Sequence, residues 1–237
     1  MIAGRSGSGK SAFALWLAVQ WNLPTLYLSA DMNGFQASTR VAAMLTAHPV
    51  EEIERRMGAE GTAEEKQQIL NALAKVNMTF SFHAPITFAN MYDEIGAYVE
   101  LHDRYPELIV VDNLMDIEGC ESDYTEQQAA MQEIAKINRG TGANFLILHH
   151  ATDKSSRAEA DPFSPPSRGE VKSGLSEKPR LSLSVALNPN NSQFRVAIIK
   201  QTNGYSDPSA ANYDTLISMP ETTRFHPYRV EPAFTTL

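Results

Sequence analysis

Cysteine is nearly missing from this sequence: Cys120 is the one thiol in 237 residues. A single cysteine excludes an internal disulfide framework and suits a reducing compartment. Its neighbours Gly119, Glu121 and Asp123 form an acidic setting that raises a thiol pKa, so Cys120 reads as incidental to function. Long apolar runs are also absent. No stretch reaches the length of a membrane span and no signal peptide leads the chain, which argues against a membrane protein and for a cytoplasmic one. Positive charge is in deficit: the net balance is −8 and the pI is near 5.3. Global electrostatics therefore give no support to nucleic-acid binding, and any such contact must come from a local basic patch. What is present, 43% apolar residues with no long polar tract, fits one sizeable globular domain over residues 1–237.

Glycine is concentrated at one place. Gly4-Arg5-Ser6-Gly7-Ser8-Gly9-Lys10-Ser11 fills every fixed position of G-x-x-x-x-G-K-[ST], a loop whose backbone N–H groups wrap around phosphate oxygens. Glycine permits positive φ and close backbone approach there. Lys10 is placed to reach the β- and γ-phosphates and Ser11 to ligate Mg²⁺, so the expected cofactors are ATP and Mg²⁺. The following AFALWLAVQW reads as a helix whose N-terminal partial charge favours the same anion. Gly4, Arg5, Ser6, Gly7, Ser8, Gly9, Lys10, Ser11 and Ala12 are the expected nucleotide contacts. Only Met1-Ile2-Ala3 precede the loop, so either the first strand is very short or further residues lie upstream.

Beyond this loop, strands and helices alternate. PTLYLSA (24–30), TFSFHA (79–84), LIVVDNL (108–114) and ANFLILHH (143–150) are apolar or alternating runs expected as strands. Residues 34–77 read as mostly helical, MYDEIGAYVELHDRY as a helix stopped by Pro106, and EQQAAMQEIAKINRG as a helix closed by Gly140 and Gly142. Helical segments between strands imply βαβ units and a mostly parallel sheet. Residues 151–179 carry four prolines and many serines, the texture of a long, mobile loop. RLSLSVALNPNNSQFRVAIIKQTNGYS then reads as an antiparallel hairpin turning at Asn188-Pro189-Asn190-Asn191. The tail, about 209–237, has weak strand signals.

A phosphate loop needs an acid to hold the metal and a group to orient water. Asp112 ends the LIVVD strand, and ligands in open α/β sheets sit outside the carboxyl ends of strands, so Asp112 is the expected Mg²⁺ acid beside Ser11. Asp31 closes LSADM and is either a water-polarising acid or a solvated one. His149 and His150 end the next strand. Neighbouring residues on a strand face opposite ways, and no Cys/His set accompanies them, so a zinc site is not expected. His150 is the expected phosphate sensor and His149 a packing residue.

These elements in this order resemble the RecA-like P-loop ATPase core of the DnaB- and RepA-type hexameric helicases. GRSGSGKSAFAL resembles the family's first motif and helix; LSADM resembles the strand ending in the catalytic acid; LIVVDNL resembles the metal-binding strand. LILHHATDK resembles the sensor strand of the RepA type through His150 and Lys154, and AIIKQTNG resembles the K-Q-R-N-G hairpin. The resemblance implies a mostly parallel twisted sheet flanked by helices with a C-terminal antiparallel hairpin. It also implies catalytic roles for Lys10, Asp31, His150 and Lys200, with Lys200 entering a neighbouring subunit's nucleotide site. A homo-oligomer, as a hexameric ring on single-stranded DNA in replication, follows from the same likeness, and Lys154, Arg157, Arg168 and Lys172 are the implied DNA contacts. A ring concentrates such cations around one pore while its exterior stays acidic. The chain departs from the family at Thr202, where an arginine finger is usual, and at Asp31, where Glu is usual; Lys200 alone or Arg195 are the candidate replacements for the finger. A bare core, without the collar or primase-interacting domain of replicative helicases, is expected, and suits a phage- or plasmid-encoded motor. The competing readings are a RecA-like recombination mediator that binds DNA without unwinding it, and a monomeric small-molecule kinase with an arginine-bearing lid.

Overall fold

A computed structural model of the chain describes residues 1–228, the side chains of Ser156 and Arg157 aside. Residues 229–237, the end of the expected tail, lie outside the described part, as does the Arg157 side chain.

The central strand is very short. β1 (Ile2–Gly4) is three fully buried residues lying between β5 (Asn144–His150) and β6 (Leu181–Asn188), parallel to both. Around it the described strands form one sheet in the order β3-β2-β4-β5-β1-β6-β7-β8-β9. β2 (Thr25–Ser29) and β4 (Leu108–Asp112) are buried along their whole length, as strands covered on both faces are, and β4 reads as a continuous apolar run up to Asp112. β3 (Met78–Ser81) pairs with β2 and leaves the sheet before Phe82, earlier than the alternation alone suggests. β7 (Gln193–Gln201) returns antiparallel to β6 around residues 189–192. β8 (Asp214–Met219) and β9 (Arg224–Pro227) extend the sheet antiparallel, so the weak strand signals of the tail are real sheet edge. The architecture is α/β: a mostly parallel sheet, antiparallel at its C-terminal side and flanked by helices.

Helix ends follow local chemistry. α2 (Gly34–Thr46), α4 (Ala63–Leu73) and α5 (Phe88–His102) each begin at a capping box: Asn33 with Gln36, Thr62 with Glu65, and Thr87 with Asn90. Such caps satisfy amide groups that the first turn leaves unpaired. α5 stops at a left-handed Asp103, three residues before Pro106, so the cap rather than the proline sets the boundary. α3 (Val50–Met57) joins α2 and α4 through a small satellite core around Ile53 and Ile69. α6 (Tyr124–Thr141) is capped by Asp123 and closed by Gly142 at φ 75°.

Two apolar layers sandwich the sheet. One packs α5 and α6 through Met91, Ile95, Tyr98, Met131 and Ile134. The other buries α1 (Lys10–Trp21), whose Phe13 ring lies 4.8 Å from Phe194 of β7 and 5.2 Å from Phe225 of β9. These contacts fix the helix behind the phosphate loop to the antiparallel strands. The segment 151–179 is more structured than its composition suggests. It contains α7 (Ser156–Ala160) and two 3-10 turns, and Val171 and Leu175 belong to the core. Ala151 and Val171 form an antiparallel bridge that brings the strap's interior back to its start at the tip of β5.

Candidate nucleotide site

The loop between β1 and α1 has the backbone its glycines allow. Gly7 sits at φ 68° and Gly9 at φ 79°, conformations that an L side chain resists. A Cβ on Gly9 would lie 3.2 Å from the Phe194 ring, and one on Gly4 only 2.3 Å from Ser8 Oγ and 3.0 Å from the Val185 carbonyl. The loop is therefore tight against β6 and β7 as well as strained in φ. Ser8 Oγ is buried with no protein partner, an orphaned donor on the surface of an anion cradle. Lys10 is buried and its Nζ donates to the Arg5 carbonyl at 3.1 Å. Burial lowers the Lys10 pKa, and the nearby Asp112 and Asp153 charges oppose that shift.

Asp112 meets the loop as the strand-end argument requires. Ser11 Oγ donates to its Oδ1 at 2.9 Å, and Tyr27 Oη, from β2, donates to its Oδ2 at 2.9 Å. Burial raises the Asp112 pKa while these two hydrogen bonds lower it. Asp31 is exposed at the end of β2, close enough that its charge contributes to raising both Asp112 and Asp116. No group of three His, Cys, Asp or Glu side chains among the described residues converges to hold a metal unaided. The oxygen donors present, Ser11 Oγ and the Asp112 carboxylate, would suit Mg²⁺ alongside phosphate oxygens, as magnesium sites commonly use few protein ligands.

β5 pairs with β1 so that His150 lies beside Gly4 and His149 beside Ala3. His149 is wholly buried, its Nε2 hydrogen bonded to the Lys172 carbonyl at 3.0 Å, with Nδ1 unpartnered. His150 is half-buried. Burial lowers its pKa to about 4, with the Lys10 and Lys172 charges adding to the shift, so it is neutral near pH 7 and faces the loop lysine.

The remaining sequence-derived residues separate. The Arg5 guanidinium points away from the loop hollow into the strap, donating to the carbonyls of Thr152 and Ser164 and to Glu170, so only its backbone remains for a phosphate. Lys154 is exposed. Lys172 is exposed and its charge reaches Lys10, His149 and His150, which places it at the phosphate-loop end. Arg168 instead turns toward Glu177, at 3.2 Å, and its charge lowers the Lys200 pKa. Lys200 lies at the far end of the sheet from its own loop: it is level with Ser182, next to the Leu183–Ile2 pair, whereas Gly4 is level with Val185. Its Nζ donates to the carbonyls of Glu177 and of Pro179, the latter at 2.7 Å. Arg195 is committed within its own chain, to Asp161, to the Phe163 carbonyl and over the Tyr213 ring. It does not stand beside Lys200; Arg168 does. Cys120 is buried and its thiol is pushed up to about 11, by burial first and then by Glu121, Glu126 and Asp123.

Two groups escaped the sequence reading. Tyr27 is the one aromatic in β2, two residues before the strand end, but Thr25 and Ser29 are polar too, so its hydroxyl gives little signal. Glu170 gave none, since its partner Arg5 is 165 residues away.

The AAA domain family matches residues 1–156, more than half of the chain, and the chain belongs to that family. The gene 65 protein of Mycobacterium phage D29 is 26% identical over 236 residues, covering 96% of this chain and 98% of that protein. A DnaB-like replicative helicase, solved with attention to its interactions with primase, superposes with a TM-score of 0.75 at 15% identity, over 96% of this chain; this chain spans 57% of its length. A second solved structure, of an isolated ATPase domain, gives 0.76 at 16% identity, over 96% of this chain and 84% of that one. The fold is thus that of a RecA-like P-loop ATPase core of the DnaB type. No helix among the described residues is long and apolar enough to cross a membrane.

Proposed function

We propose that this chain is an ATP-driven motor core that assembles as a ring, a hexamer as the resemblance to DnaB- and RepA-type helicases implies, and translocates on single-stranded DNA in phage replication. The observation that carries the reading is the position of Lys200. The phosphate loop, with Ser11 bonded to Asp112, lies at one end of β1 and a partly exposed lysine at the other. A cation so placed serves a phosphate site only by meeting that of another copy, and head-to-tail contacts of this kind make a ring where the rotation closes and an open filament where it does not.

Bound MgATP supplies the phosphoanhydride bond whose hydrolysis drives the motor. The chain's own groups then divide the work. The backbone amides of the Gly4–Ser11 turn and the Lys10 ammonium bind and orient the phosphates. Ser11 and Asp112 hold the metal, and Tyr27 fixes the Asp112 carboxylate. Asp31, exposed at the mouth, orients the attacking water. His150, neutral and level with Gly4, reads the phosphate state, and Lys200 of the next copy stabilises charge on the transferred group, with Arg168 beside it. Lys154, Arg157 and Lys172 contact the strand from the 151–179 strap, while Arg168, turned to Glu177 beside Lys200, does not. Those DNA contacts predict a strong salt dependence.

ATP hydrolysis with and without a single-stranded oligonucleotide, with Lys10→Ala as the blank, tests this reading when paired with a solution mass. Stimulated turnover by an oligomer supports it. Turnover indifferent to DNA from a monomer would instead indicate a small-molecule kinase, and DNA coating without separation of a forked duplex would indicate a recombination mediator.

A further inference from the structure

Arg5 is a variable position of the phosphate loop, yet it is 6% exposed and holds two segments at once. Its carbonyl accepts from Lys10 Nζ at 3.1 Å and from the Ser8 amide at 3.2 Å, inside the loop. Its guanidinium reaches the strap, donating to the Thr152 carbonyl at 3.3 Å, the Ser164 carbonyl at 2.6 Å and Glu170 Oε1 at 2.8 Å. Glu170 is itself almost fully engaged. Ser155 Oγ donates to Oε1 at 2.5 Å, and the Ser167 amide and hydroxyl both donate to Oε2 at 2.7 Å. The Thr152 amide donates to the Glu170 carbonyl at 2.8 Å. The strap's cations flank this network: Lys154 is two residues beyond Thr152, and Lys172 two beyond Glu170.

A buried ion pair is a poor way to gain stability, because removing two charges from water offsets most of their attraction, and apolar side chains of similar size often do as well. What the pair does provide is a directional link of fixed geometry. A cavity of about 300 Å³, lined by Ser6, Gly7, Ser8, Asp153 and Phe163, lies between the same two segments, so part of their contact is polar bridging rather than close packing.

We propose that Arg5 and Glu170 are positioning residues whose buried ion pair joins the phosphate loop to the 151–179 strap, so that nucleotide in the loop and single-stranded DNA on the strap change each other's affinity. The proposal rests on the motor reading for its DNA half and on nucleotide binding for the rest. Coupling between two sites is reciprocal in binding free energy, so one measurement reads it from either side.

The test uses the full chain, a fluorescent non-hydrolysable ATP analogue with Mg²⁺, and an oligothymidine strand. In the wild type the oligonucleotide tightens the analogue by about fivefold or more, the usual lower range of allosteric coupling. Glu170→Gln, which keeps size and most hydrogen-bonding capacity, reduces that factor to within about twofold of unity while leaving analogue affinity without DNA nearly unchanged. Adding Arg5→Met removes no further coupling, as expected when two residues act as one unit. Amide exchange supplies an arm without DNA: the analogue slows exchange in peptide 152–172 of the wild type but not of Glu170→Gln, although residues 4–11 are protected in both. Should Glu170→Gln fail to fold, the Arg5→Met/Glu170→Met pair replaces the charges by apolar side chains and is expected to fold and to be uncoupled. Wild-type coupling and wild-type strap protection in a folded variant would overturn the proposal. If the wild type binds no DNA, the motor reading fails, and the exchange arm alone decides whether the link exists.

Discussion

Tyr27 Oη and Ser11 Oγ each donate to a different oxygen of Asp112, both at 2.9 Å, so that a strand residue and a loop residue hold one carboxylate between them. The carboxylate is 3% exposed, and burial raises its pKa; the two donors favour its charged form. Burial and Asp112 push the Tyr27 phenol well above its ordinary range, so it remains a donor.

Tyr27→Phe removes one of those donors and leaves Asp112 Oδ2 without it in a buried site. The expected cost is about 1–3 kcal/mol of stability, the penalty for an unsatisfied buried group. ATP hydrolysis should need more Mg²⁺, because the carboxylate is no longer held. Urea unfolding and a Mg²⁺ titration of turnover check both parts, and an unchanged Mg²⁺ requirement would show that Ser11 alone positions Asp112.

Much of this architecture was legible in the sequence because its signals are local. The phosphate loop is set by glycines at Gly4, Gly7 and Gly9, the central strands by apolar runs ending in Asp112 and His150, and the hairpin by alternation on either side of Asn188–Asn191. The Pro- and Ser-rich 151–179 strap misleads because Val171 and Leu175 are sparse anchors without periodicity, although both are buried in the main core. The helix reading that ended at Pro106 overlooked Asp103, whose left-handed backbone closes α5 first. Arg5 with Glu170, and Tyr27 with Asp112, were hidden for a different reason: each pair joins residues from separate parts of the chain, and residue type alone does not reveal a partner across the fold.

Gly9→Ala should both weaken the fold and disturb the loop. Its φ of 79° costs an L residue roughly 1–2 kcal/mol, and the new methyl would press on the Phe194 ring at 3.2 Å. Thermal melting is expected to fall, with a larger loss of ATP affinity than of stability, because the glycine sits where Lys10 begins α1. Wild-type ATP affinity in a folded Gly9→Ala protein would contradict the placement of the phosphate cradle.

Acid should destabilise the protein before its carboxylates titrate. Burial lowers the His149 pKa from 6.5 to about 4, opposed by its contact with the Lys172 carbonyl and reinforced by the nearby His150, Lys172 and Lys10 charges. The unfolded chain takes up a proton near pH 6.5 that the folded chain refuses until about pH 4, so stability is full above the first value and falls toward the second. For the wholly buried His149 the loss is on the order of 3 kcal/mol. Glu170, which burial pushes up but which Ser155, Ser167 and Arg5 bring down to about 2, adds its own loss only at lower pH. His149→Asn should reduce the slope of the melting temperature between pH 6.5 and 4.5, leaving the part due to His150, which burial also brings to about 4; an unchanged slope would assign the acid sensitivity to other groups.

The most direct measurement mixes two inactive variants. Lys10→Ala lacks a working phosphate loop and Lys200→Ala lacks the cation at the opposite end of the sheet. If each site is built from two copies, an equal mixture of subunits recovers ATP hydrolysis at about a quarter of the sites, because head-to-tail contacts pair an intact loop with an intact lysine at that frequency. Recovery of turnover from two dead preparations is the predicted result. Full activity of Lys200→Ala alone, or a mixture that stays inactive although the subunits co-assemble, would contradict it.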